Sequence, residues 1–257
     1  MNSRFSLILL VMLLSYAGYS QNNQLGRKLI DTLRVKHSDY EELKVVDSSG
    51  TVLQEWGLRN NKLDGLWLIY HAGTGFPSNI TSYRNGMKNG NVLKIGIDGY
   101  VEEMISYKDD KLDGPHRTYY KGARINKEIN YKGGIEDGIR KSFYSDAGIQ
   151  EEALIKQGKR SGQTTWYYKN GKIAVIYPYK DDEIDGKTIT YNEQGLPTME
   201  GSFIKGVEQG IWKEYNELGL LISEGNYIDG KKEGKWKEYS NGKLLKSKLF
   251  KNGIEVN

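Results

Sequence analysis

Apolar and aromatic positions along this chain recur in short runs separated by glycine and Asn-Gly turns, and the runs are copies of one another. Aligned on the glycine that precedes Lys235 and Trp236, equivalent glycines fall at Gly65, Gly90, Gly114, Gly138, Gly162, Gly186, Gly210 and Gly234. The first interval is 25 residues and the other six are 24. A fixed period of this length marks a repeat architecture, in which each copy is one supersecondary unit that rests on its neighbours.

Other columns keep the same register. Five residues after the anchors stand Tyr70, Ile95, Tyr119, Phe143, Tyr167, Tyr191, Tyr215 and Tyr239. Seven before them stand Leu58, Tyr83, Tyr107, Tyr131, Ile155, Tyr179, Phe203 and Tyr227, and Phe250 begins a truncated ninth copy. Turn residues lie four before the anchor, as at Gly206 and Gly230, and eight to ten after it, as at Gly171 and Gly242. This punctuation predicts two short strands per copy, joined as hairpins. Trp212 and Tyr215 have opposite parity on a flat strand. Either a bulge separates them or both sheet faces carry apolar side chains. Sixteen strands spaced by about 4.8 Å would make an array roughly 75 Å long, with the column five after the anchor as its aromatic spine.

These copies resemble MORN repeats, in particular the bacterial variant of the form Gly-x-Trp-x-x-Tyr, Asn-Gly-Lys, Tyr-x-x-Gly. The clearest are Gly210 to Tyr215 and Gly234 to Tyr239, the latter followed by Asn241, Gly242 and Lys243. In copies two to six the tryptophan is replaced by Val92, His116, Arg140, Thr164 and Thr188. The likeness covers residues 44–257 and implies an all-β fold, an elongated, twisted antiparallel sheet of stacked hairpins. It also implies roles in protein or membrane attachment, with catalysis residing in separate domains where it occurs.

Composition agrees with strands and tight turns: 31 Gly and 19 Tyr, but only 4 Pro. Net charge is +4, from 37 basic and 33 acidic residues, too balanced for a nucleic-acid binder. The absence of cysteine removes disulfides, thiol nucleophiles and thiolate metal sites. At the N-terminus Arg4 precedes an apolar run from Phe5 to Leu14, then small and polar residues to Ser20. That layout predicts a signal peptide over residues 1–20, cleaved after Ser20, and so a periplasmic or secreted protein. The run is too short to span a bilayer, which needs about 20 residues. Residues 21–43 form a leader. Within it Leu25, Leu29, Ile30 and Leu33 share a helical face, so the segment is either a capping helix or unstructured.

Little in the sequence points to chemistry. The runs Lys108 to Gly114 and Lys180 to Gly186 carry three aspartates each. Their spacing does not fit a calcium loop, and turn aspartates bonding the backbone explain them better. Glu128, Glu152, Glu200 and Glu224 recur ten before the anchor. Paired carboxylates could cleave an envelope glycan, but a residue repeated every 24 positions reads as a face position. Nucleophile and phosphate-loop motifs are missing, and no cofactor, metal site or catalytic residue is expected. The C-terminal copies are rich in lysine. Trp212 and Trp236, with Lys231, Lys232, Lys235 and Lys237, are the candidate binding surface. It would meet an anionic membrane or glycan, unless the lysines only guard an open sheet edge. The expected function is an exported, non-enzymatic scaffold with a protein partner, the alternatives being this lipid or glycan attachment and glycan hydrolysis.

Overall fold

The structure, a computed structural model, describes residues 31–256. The expected signal peptide lies outside the described residues. Between these limits the chain is one antiparallel sheet of 23 strands with no helix. Counting each two-residue strand with the longer one that follows it, every strand pairs with its neighbours in sequence, from Asp31–Lys36 against Tyr40–Val46 to Lys243–Lys251 against Ile254–Val256. The two-residue strands Lys62–Leu63, Ile135–Glu136 and Glu183–Ile184 lead directly into longer ones. The eight copies therefore supply the sixteen strands expected, and a further hairpin stands at each end.

The N-terminal hairpin corrects two expectations. Residues 31–36 form a strand, not part of a capping helix, and paired strands already stand before residue 44. Leu33 and Val35 alternate with polar residues, and their strand continues the hydrogen-bonded ladder of Tyr40–Val46. Leu43 in this hairpin is 3% exposed and pairs with the buried Trp56.

Within each copy the strands meet at a two-residue turn whose central residues both have positive φ, 48° at Asp229 and 72° at Gly230 for example. These are type I′ turns, which match the twist of the paired strands and favour Asn, Asp and Gly. The anchor glycine has a different task. Glu200 pairs with Lys213 but Ser202 with Gln209, so Gly210 and Ile211 have no counterpart on the preceding strand. At this bulge the eight anchors take φ values between 72° and 126°, which a side chain strains.

Successive copies are joined by three-residue loops such as Glu217 to Gly219, closed by Asn216 N–H donating to Leu220 O at 2.9 Å. The loop from His71 to Phe76 is one residue longer, because Tyr70 pairs with Pro77 where Tyr215 pairs with Leu221. That insertion is the origin of the 25-residue first interval. In this loop type the last residue is left-handed: glycine at Gly99, Gly171, Gly195 and Gly219, but Ala123 and Ala147 in two copies. Ala147→Gly should relieve that strain and stabilise the array by about 0.5–1 kcal/mol, read as a raised midpoint in urea.

Both ends of the hairpins are stitched to the next copy. On one side Gly134 N–H donates to Leu112 O and Gly206 N–H to Ile184 O, each at 2.7 Å. On the other the hydroxyls of Tyr120, Tyr144 and Tyr168 donate to the carbonyls of Phe143, Tyr167 and Tyr191.

Paired residues of an antiparallel sheet point to the same side, so the register assigns the two faces. Trp212 pairs with Gly225 on the first face, whereas Tyr215 donates to Glu200 on the second. Both faces thus carry apolar side chains. The aromatic spine lies on the first face and differs from the one expected. It runs Trp166, Tyr177, Phe203, Trp212, Tyr227, Trp236, Phe250, with successive ring centroids 5.1–6.3 Å apart and steeply inclined. None of the residues five after the anchor belongs to this chain of rings. A Cβ on Gly201 or Gly225 would sit 2.1 Å from the ring of Trp212 or Trp236. These indoles therefore lie flat on bare backbone while Phe203, Tyr227 and Phe250 stand across them.

Candidate functional site

The proposed C-terminal surface does not survive as a set. Trp212 is 5% and Trp236 3% exposed, so neither ring is available to a ligand. Burying them is what lets a single-layer sheet have a core at all. Lys232 places its ammonium 4.0 Å from the Trp236 ring centroid, and Lys237 pairs with Glu224 at 2.7 Å. Of the six residues, Lys231 and Lys235 stand exposed.

The other candidates are similarly accounted for. Asp110 and Asp182 accept the backbone N–H of Lys88 and Arg160, and Asp113 and Asp185 those of Gly133 and Lys205. The aspartate runs thus bond neighbouring copies, not their own turns. Among the described residues no group of three or more His, Asp or Glu side chains is placed to hold a metal ion. The histidines are scattered: the His71 ring meets Ile95 O at 2.9 Å and the His116 ring meets Glu103 at 2.7 Å, in different copies of the repeat.

The glutamate column leads to a feature that its own period conceals. On the second face the residues ten before and three after the anchor pair alternately across the whole sheet. At the C-terminal end this row reads Glu200, Lys213, Glu224, Lys237, each paired with the next. Lys213 lies 3.1 Å from Glu200, and Lys237 2.7 Å from Glu224. In the middle it reads Arg117, Glu128, Lys141, Glu152. Two apolar stretches interrupt the ladder. One is Leu68, Ile80, Leu93 and Met104, paired in that order. The other is Thr165, Ile176 and Ile189. Reading the third residue after each anchor as a column would have found the row.

Electrostatics couple this ladder to the tyrosines five after the anchor. The Tyr215 hydroxyl, and then Lys213 and Lys187, hold the Glu200 carboxyl below the usual range. Lys237 and Tyr239 do the same to Glu224, and Tyr70 to Glu55. In return burial, and then the Glu200 carboxylate, push Tyr215 up to about 12. Burial, then Glu55, also takes Tyr70 to about 12. A carboxylate with a lowered pKa stabilises the fold above its ordinary 4.5 and loses that contribution as pH falls. A tyrosine with a raised pKa stabilises it below 10 and loses that contribution as pH rises towards 12. The melting temperature should therefore fall on both sides of a broad plateau, and Tyr215→Phe should weaken both slopes.

Compared with protein-family models and with curated proteins, the sequence matches none.

Proposed function

We propose that this chain is an exported, non-enzymatic, MORN-like scaffold that binds a protein partner along an extended sheet face. The observation that carries the reading is the second face. Its charged and apolar positions form one ordered row along the array, a surface suited to large, shape-matched recognition. The resemblance of Gly210 to Tyr215 and Gly234 to Tyr239 to MORN repeats points the same way.

The test is affinity capture from the exported fraction of the native cells, followed by quantitative mass spectrometry. A companion variant exchanges the signs of Glu200, Lys213, Glu224 and Lys237 together, which keeps their mutual pairing but inverts the surface. One enriched protein, lost with that variant, is the expected result. An empty capture overturns the reading. Sedimentation with anionic vesicles that vanishes at high salt would then favour attachment through the exposed Lys231, Lys235 and Lys243.

A further inference from the structure

The N-terminal apolar stretch of the second face is flanked by charges in an order that is its own complement. Along the paired row stand Lys44 and Glu55, then Leu68, Ile80, Leu93 and Met104, then Arg117 and Glu128. Turn the row end for end about its centre, between Ile80 and Leu93. Glu55 then meets Arg117 and Lys44 meets Glu128, while the apolar residues meet one another.

We infer that two copies of this chain pair face to face through this row, related by a two-fold axis parallel to the strands between Ile80 and Leu93. Such an axis makes the interface isologous, each contact occurring twice. The charges select this orientation: with the rows aligned in the same direction Glu55 would face Glu55 and Arg117 would face Arg117. They also select this stretch over the other one. Thr165, Ile176 and Ile189 lie between Glu152 and Glu200, so turning that row end for end sets glutamate against glutamate.

The patch is large enough to matter. From Lys44 to Glu128 the row crosses eight strands, about 34 Å. With the neighbouring columns, including Leu66 at 50% exposure, each copy offers an area roughly comparable to the 800 Å² that one partner buries in a standard interface. The flanking side chains are within reach of a partner as well as of each other. Lys44 and Glu55, 3.0 Å apart, are 40% and 27% exposed. Arg117 also pairs with Glu128.

Sedimentation velocity on the purified protein, at tens of micromolar, should show a dimer. Glu55→Lys alone, or Arg117→Glu alone, puts like charges at both contacts and should weaken association on the order of tenfold or more. An equimolar mixture of the two variants should restore it, because both contacts are then attractive. No purely structural role of either residue gives rescue on mixing. A monomeric parent protein overturns the inference, as does a mixture that stays monomeric while both variants keep the parent's circular dichroism. If either variant fails to fold, Leu66→Lys decides: it should dissociate the dimer, and an unaltered dimer overturns the inference.

Discussion

Trp236→Ala should lower stability by about 4 kcal/mol, among the largest losses that a single side chain here can produce. The ring is 3% exposed and lies between Tyr227 and Phe250, with centroids 5.2 and 6.3 Å away. Its Nε1–H donates to the Asn226 carbonyl at 3.2 Å. Truncation would bare the backbone of Gly225, strand two rings without their partner, and leave Lys232 over a void. In a single-layer sheet no second layer can relax into the space. Chemical denaturation would measure the loss, and hydrogen exchange should place it in the last copies. A variant that unfolds with its parent would show that these rings are not the core.

Gly201→Ala should be nearly as damaging, about 3 kcal/mol, although it adds a single methyl. The new Cβ would fall 2.1 Å from the Trp212 ring, which has nowhere to go without leaving the spine. The same chain already contains the alternative solution. Ala153 pairs with Thr164 at the equivalent place, both fully buried, and Trp166 and Tyr177 supply the rings there instead. Combining Gly201→Ala with Trp212→Thr should therefore cost clearly less than the two single losses added together. A double-mutant cycle measures that coupling. Strict additivity would mean that the glycine and the indole are independent.

The anchor glycines announced the period, and the period gave the hairpins and the open sheet. The Asn-Gly pairs at Asn170 and Asn241 marked turns correctly as to place. What the residues could not reveal was the face on which each column lies. The columns seven before and five after the anchor are both mostly aromatic, yet only the former contributes rings to the spine. The decision rests on the register of the two-residue turn, which pairs Phe203 with Glu208 and so leaves Tyr215, seven residues further on, on the opposite face. The same blindness misplaced Trp212 and Trp236. A tryptophan in a polar, lysine-rich stretch reads as exposed until the glycine facing it, Gly201 or Gly225, is recognised as the floor of its site. The N-terminal hairpin was hidden for another reason. Leu33 and Val35 alternate too briefly to be told from one turn of helix, and their pairing with Lys44 and Glu42 decides it.

Strict pairing of each strand with its sequence neighbours also sets how the molecule answers mechanical load. Among the described residues no strand is clamped by a distant part of the chain, so tension on the two ends of the sheet opens it from an edge, one hairpin at a time. Each released copy of 24 residues would lengthen the chain by roughly 80 Å. The stitching between turns makes the copy, not the single strand, the unit of release. Such a protein would yield in even steps at modest force and zip shut again from whatever remained folded. It would behave as an extensible tether whose reserve of length is counted in repeats.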